Sequence, residues 1–113
     1  METVRTPIPL AHLETLAADM FGDLVKAVVD VSQGIMVVGG ELHADEEALL
    51  LTDGSSQRDL WGINLHPDEY GRSDFIEFDS MINLRPSQGN RSRSVDDPAI
   101  RVEISEIVAR LVE

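Results

Sequence analysis

The segment Leu24-Val25-Lys26-Ala27-Val28-Val29-Asp30-Val31 decides the fold class of this 113-residue chain. It is rich in β-branched residues, and one parity is entirely apolar while the other carries a lysine and an aspartate, as in a half-buried strand. The turn sequence Ser32-Gln33-Gly34 separates it from a second strand-like run over residues 35–42. Two such runs joined by a short loop with glycine predict a β-hairpin. Gly39-Gly40 inside the second run predicts a bulge or a close backbone approach.

Further strand patterns follow toward the C-terminus. Residues 44–51 combine helix-forming composition with a following turn sequence, so a helix and a strand are both open there, and we favour a strand over residues 47–52. Residues 59–65 alternate, with Trp61 on the inward parity, and predict the next strand. Residues 75–84 show the clearest alternation in the chain and predict a last strand.

Helical spacing of apolar residues occurs near both ends of the chain. The first stripe begins after Pro9 and ends before Gly22, and it consists of Leu10, Leu13, Leu16, Ala17 and Met20. The second follows the capping sequence Asp96-Asp97-Pro98 and consists of Ile100, Ile104, Ile107, Val108 and Leu111. The chain is therefore predicted to be a single α+β domain over residues 1–113. It should hold an antiparallel sheet of four or five strands, with the N-terminal and C-terminal helices on one face.

Composition narrows the class of function. The 21 acidic and 9 basic residues give a net charge of −12 and a pI of about 4.4, which disfavours general nucleic-acid binding and contact with anionic membranes. The absence of cysteine excludes disulfides and thiolate metal ligands and fits a reducing compartment. No stretch has the signal-peptide pattern or the length to span a bilayer, so we expect a cytoplasmic protein.

A basic loop stands out against this acidic background, because residues 80–95 contain no carboxylate. Guanidinium groups bind phosphate or carboxylate in a bidentate manner, and serine and asparagine add donors near a helix start. The leading hypothesis is a site for a phosphate-bearing ligand or an acidic protein partner. Its members are Arg85, Ser87, Asn90, Arg91, Arg93 and Arg101. Alternatively, these arginines pair with carboxylates of the protein itself or of a neighbouring subunit.

A second candidate is a divalent-metal site, and no other cofactor is evident. On an extended backbone the side chains of residues 41, 43 and 45 point to one face, and those of residues 77 and 79 do so on another strand. If the two strands are neighbours, a metal-dependent phosphoryl-transfer or hydrolytic enzyme is the alternative function. The set consists of Glu41, His43, Asp45, Glu77 and Asp79. Carboxylates that merely face solvent explain the same pattern.

A third hypothesis is a homo-oligomeric assembly or protein-interaction module, with a homodimer as its simplest form. The arginines of the basic loop would then meet acidic residues across the interface. Outside these sets, Asn64 and His66 fall on the outward parity of their strand and are expected to lie at the surface or to cap a loop.

Three stretches resemble a known family: Gly39 to Asp45, Asp59 to Leu65, and Ile82 to Arg93. They resemble a family of small prokaryotic proteins that is described only as a domain of unknown function. The resemblance covers most of the chain from Leu24 onward. It implies a stand-alone domain and brings no activity or site residue with it.

Overall fold

The computed structural model describes residues 1–113 as an antiparallel five-stranded sheet with helices on both faces. The strands are β1 (Glu2–Val4), β2 (Val25–Asp30), β3 (Ile35–Val38), β4 (Leu60–Leu65) and β5 (Ile76–Glu77), and the helices are α1 (Leu10–Asp19), α2 (His43–Thr52) and α3 (Pro98–Leu111). The strand order is β1-β3-β2-β4-β5. The predicted α+β class is confirmed, and none of the helices has the length and apolarity needed to cross a membrane.

The predicted β2–β3 hairpin forms, with Asp30 opposite Ile35 at its closed end. The buried Asp30 carboxylate accepts hydrogen bonds from the backbone N–H groups of Ser32 and Gln33 and so shapes the turn. β3 is shorter than the predicted run over residues 35–42, because Gly39 has a φ of +84° and turns the chain away from the sheet. β1, which the sequence did not reveal, pairs with the outer edge of β3.

The larger part of the core lies between one face of the sheet and the two predicted helices, α1 and α3. β2, β3 and β4 contribute alternate residues such as Val29, Met36 and Ile63, and these pack with Leu13 of α1 and Ile104 of α3. Asp97 caps α3 as predicted, because its carboxylate accepts the backbone N–H of Ala99. The prediction that both terminal helices share one face is therefore confirmed.

The preferred strand over residues 47–52 is wrong, because this segment belongs to α2. The second face of the sheet carries the apolar side chains of Val28, Val37 and Leu60, and Leu50 of α2 covers them. Both outer positions beside the hairpin are already filled by β1 and β4, so the segment has no place next to β2 or β3 in the sheet. A helix lying across the face buries these side chains instead.

The prediction of a long strand over residues 75–84 is also wrong, except at Ile76 and Glu77. β5 contains only Ile76 and Glu77, and the chain then passes through a 3₁₀ turn at Met81–Asn83 over the second face of the sheet. The buried Asn83 side chain, rather than a continued strand, hydrogen bonds to the backbone of β4 at Gly62. This arrangement places Asp79 and Ser80 beside α2.

Candidate functional site

Arg85, which the sequence assigned to an anion site, is a buried structural residue. Its guanidinium group stacks on the Trp61 ring at 4.2 Å from the ring centroid and donates to the carbonyl oxygens of Gln57 and Leu60. Burial lowers its pKa, although the Glu47 carboxylate opposes that shift. Its two terminal nitrogens thus donate to the protein's own backbone, and Nε is buried without a partner.

Asn90 orders the basic loop from inside. Its Nδ2 atom donates to the carbonyl oxygens of Asn83 and Ser94, both at 2.7 Å, and its Oδ1 accepts the backbone N–H of Asp96 at 2.8 Å. Arg101 closes the same structure by donating to the Ser94 hydroxyl and to the Val95 carbonyl. These bonds tie the loop to itself and to the start of α3.

The remaining three residues of the predicted anion site are exposed. Ser87 and Arg91 form no side-chain hydrogen bond, while Arg93 Nε donates to Asp79 Oδ1 at 2.7 Å. The structure thus does not bring the six residues together. Arg93 alone reaches a pocket on the second face of the sheet.

The five predicted metal ligands are also dispersed. The expected extended backbone over residues 41–45 is wrong, because α2 begins at His43. Glu41 and Asp45 are exposed, and Glu77 Oε1 accepts one hydrogen bond from Asn64 Nδ2. The structure contains no group of three or more histidine, aspartate or glutamate side chains that could hold a metal ion.

The structure instead combines members of both predicted sets in one pocket of about 260 Å³, which we call the His43 pocket. It lies between the start of α2, the β2–β4 part of the sheet and the segment after β5. Its polar lining consists of Lys26, His43, Asn64, Asp79, Ser80 and Arg93. Its rim is apolar and includes Leu42 and Met81, which are exposed by 55% and 62%. The floor carries Lys26 of β2 directly opposite Asn64 of β4.

The ring tautomer of His43, which lines this pocket, follows from its hydrogen-bond partner. Its Nε2 atom lies 2.8 Å from the carbonyl oxygen of Ile63. Because a carbonyl oxygen only accepts, Nε2 must carry the proton, and Nδ1 of the neutral ring is then an acceptor. Burial lowers the pKa of His43, with the Ile63 carbonyl opposing the shift, so the neutral ring prevails at neutral pH.

Asn64 also lines the pocket, and its amide orientation follows from its partners. Nδ2 lies 3.0 Å from Glu77 Oε1 and 3.2 Å from the carbonyl oxygen of Asp79, and both of these oxygens accept. Oδ1 is consequently the other branch of the amide, and it is buried without a hydrogen-bond partner. The residue is only 7% exposed, in contrast to the surface position that the sequence predicted. A buried acceptor left without a donor costs free energy.

Two cations complete the pocket. Lys26 is the only lysine of the chain, and its ammonium group lies 5.0 Å from the centroid of the Phe21 ring. None of the ion pairs of the structure involves Lys26. Arg93 is bonded to Asp79 through Nε, which leaves the other guanidinium donors of Arg93 available.

Glu46 lies close to the pocket, on the inner face of α2. Its side chain is fully buried, Oε2 accepts the backbone N–H of Gly40 at 3.0 Å, and Oε1 has no partner. Burial raises the pKa of Glu46 to about 9, against the opposing effects of the Gly40 N–H and of Lys26. The carboxyl is therefore neutral at neutral pH and does not cancel the charge of Lys26.

Sequence reasoning missed Lys26 and Asn64 because alternation along a strand separates two faces but does not show whether the second face is covered. α2 and residues 79–83 cover that face here. Lys26 of β2 lies opposite Asn64 of β4 because of the register of the sheet, and no local sequence pattern reveals that register.

A family model described as Protein of unknown function (DUF5674) matches residues 2–111, so the chain belongs to that family. This confirms the resemblance to a domain of unknown function. The description gives no activity, ligand or cofactor. No curated protein and no solved structure matches the chain significantly.

Proposed function

We propose that this member of a family of unknown function is a small-ligand-binding domain whose His43 pocket holds a phosphate-bearing anion. The observation that carries the proposal is that Lys26 and Arg93 both line this pocket, where Lys26 has no ion-pair partner and Arg93 is bonded only through Nε. A bound anion would pair with Lys26 and accept hydrogen bonds from the remaining guanidinium donors of Arg93.

The charge of the chain as a whole strengthens this argument. A protein with a net charge of −12 has many carboxylates with which a lysine could pair, and Lys26 pairs with none of them. Positive side chains that remain unpaired in an acidic protein are available to an external anion.

The start of α2 adds a further attraction for negative charge. Leu42 precedes the helix and supplies no side-chain cap, so the first backbone N–H groups are not satisfied by a capping side chain. Leu42, His43 and Ala44 line the pocket. The positive end of the helix dipole therefore lies at its wall, where it favours an anion.

Calorimetric titration with inorganic phosphate tests the proposal. We expect Lys26→Met and Arg93→Gln each to weaken binding about tenfold or more, since a hydrogen bond to a charged group contributes roughly 1.5–3 kcal/mol. Arg91→Gln is the matched control, because Arg91 is exposed and lies outside the pocket, and it should bind as the wild type does. Absence of phosphate binding by the wild type, or loss of binding in Arg91→Gln alone, would overturn the proposal.

A further inference from the structure

We infer that the anion held in the His43 pocket carries a short apolar group, as in an alkyl phosphate, and that Leu42 and Met81 enclose that group at the rim. The inference rests on the proposed function and extends it from charge to chemical class. Its basis is the lining of the pocket, in which two cations lie beside five apolar residues. These residues are Leu24, Leu42, Ala44, Met81 and Ile82.

Leu42 occupies the position at which α2 begins, where a leucine brings no local advantage. The N-cap of a helix is normally serine, threonine, aspartate or asparagine, whose side chain accepts a free backbone N–H. Leu42 makes no such bond, and it is exposed by 55%. The sequence therefore lacks a capping bond and leaves an apolar side chain in solvent at the same place. Departures of this kind from local stability are typical of functional sites.

Met81 is held at the rim by its neighbours in the chain. Ile82 packs against the buried cluster on the second face of the sheet, and Asn83 is fully buried in its bonds to Gly62. The buried Ser80 hydroxyl accepts the backbone N–H of Ile82 and closes the turn. Met81 is left on the outer side and is exposed by 62%, more than any other large apolar side chain of the protein.

These apolar side chains lie beside an unpaired cation. Single exposed apolar residues are common on protein surfaces, but Leu42 and Met81 come from separate segments and line the same pocket as Lys26. Phe21 adds to this surface, because its ring is exposed by 42% and its centroid lies 5.0 Å from the Lys26 ammonium group. Inorganic phosphate would satisfy the charge and leave these side chains in water. An anion with an apolar group would bury them as well.

The size of the pocket limits the apolar group. Drug-sized ligands occupy pockets of roughly 300–1,000 Å³, and the His43 pocket of about 260 Å³ lies below that range. The pocket is therefore too small to enclose a long acyl chain or a dinucleotide. A phosphate monoester with a short alkyl group matches both its size and its lining.

The test compares pentyl phosphate with ribose 5-phosphate by calorimetric titration, because the two share the phosphate monoester and the number of carbon atoms but differ in polarity. We expect the wild type to bind pentyl phosphate about tenfold tighter or more, since each fully buried methylene group contributes roughly fourfold in affinity. Met81→Gln should reduce this ratio severalfold. Val102→Gln is the matched control, because Val102 is exposed by 56% on α3 outside the pocket, and it should leave the ratio unchanged.

Leu42→Asn separates ligand binding from stability. Asparagine is among the best N-cap residues, so this variant should raise the urea midpoint of unfolding while it lowers the ratio of the two affinities severalfold. If Leu42 served only the fold, the ratio would stay at its wild-type value.

The outcomes separate the two proposals. Equal affinity for the two phosphates, or tighter binding of ribose 5-phosphate, would leave the anion pocket intact and overturn the inference about the apolar group. A preference for pentyl phosphate that neither Met81→Gln nor Leu42→Asn reduces would overturn it too, because the apolar contact would then lie elsewhere. A dimer mass in analytical ultracentrifugation that Met81→Gln reduces to that of one chain would assign the rim to a second copy and also overturn it. Binding of neither compound would remove the proposed function and the inference together.

Discussion

The side chain of Asn83 pairs with both backbone polar groups of Gly62, accepting its N–H at Oδ1 and donating to its carbonyl from Nδ2, each at 2.9 Å. A residue of a neighbouring strand would make the same two bonds. Nδ2 also donates to the carbonyl oxygen of Arg93 at 2.9 Å. One buried amide thus joins β4 to the segment that carries a cation of the His43 pocket.

Asn83→Ala should lower the free energy of unfolding by about 3 kcal/mol, because it leaves the buried N–H and carbonyl of Gly62 without partners. Urea denaturation followed by Trp61 fluorescence measures this. Ser87→Ala is the control, since Ser87 is exposed and forms no side-chain hydrogen bond, and it should change stability by less than about 0.5 kcal/mol. A similarly small effect of Asn83→Ala would contradict the account.

Gly62→Ala should also destabilise the fold, because an added Cβ would lie 2.5 Å from the Cβ of Ser80. Overpacking of this kind costs about 1–3 kcal/mol. The double variant Gly62→Ala, Ser80→Gly removes the nearest atoms and should be less destabilised than the sum of the two single variants. Simple additivity in thermal or urea unfolding would show that the contact is not the cause.

Glu46 predicts a pH dependence of stability whose sign follows from its raised pKa. The folded state keeps the proton up to about pH 9, whereas the ordinary value for the carboxyl is 4.5, so between these values the folded state binds more protons than the unfolded state. The contribution of Glu46 to the free energy of unfolding is therefore fully present below about pH 4.5 and is lost as the pH rises through about 9. Between these two pH values the free energy of unfolding falls by up to about 1.4 kcal/mol per pH unit.

Glu46→Gln keeps the shape of the side chain and removes its titration. The free energy of unfolding of the variant, relative to that of the wild type, should rise by about 2–3 kcal/mol from roughly pH 6 to pH 8, as measured by urea unfolding at each pH. A stability difference that is independent of pH would show that Glu46 is ionised in the folded protein.

A variant of Arg85 tests whether this arginine stabilises the fold or binds a ligand. Arg85→Gln should reduce the free energy of unfolding by about 2–4 kcal/mol, because it removes hydrogen bonds from a charged donor to buried carbonyls and the stacking on Trp61. It should leave the phosphate affinity of the folded protein unchanged, since Arg85 lies outside the His43 pocket. Weaker phosphate binding at unchanged stability would restore Arg85 to the anion site.

The sequence predicted the parts of the fold that local patterns control. The β2–β3 hairpin follows from alternation on either side of a turn, and α3 follows from the capping residue Asp97 and a regular apolar stripe. The predictions failed where distant groups decide the structure. α2 forms because Leu50 covers Val28 and Val37, and β5 stops early because the Asn83 side chain occupies the backbone of Gly62.

The candidate site shows the same division. The sequence analysis placed His43 and Asp79 in the predicted metal site and Arg93 in the predicted anion site, and all three line one pocket in the structure. The charge and polarity of their loop placed Arg85 and Asn90 in the predicted anion site. In the structure both side chains donate to backbone carbonyl oxygens of the protein. Lys26 and Asn64 became recognisable only through the register that sets them opposite each other.

Chemical-shift mapping of the ¹⁵N-labelled protein during titration with inorganic phosphate tests the central claim most directly, because it locates the anion without relying on a variant. The account predicts saturable shifts at the amides of residues 42–44, Asn64, residues 79–82 and Arg93, with little change at residues 85–91. Shifts confined to residues 85–91, or no saturable shifts, would contradict it.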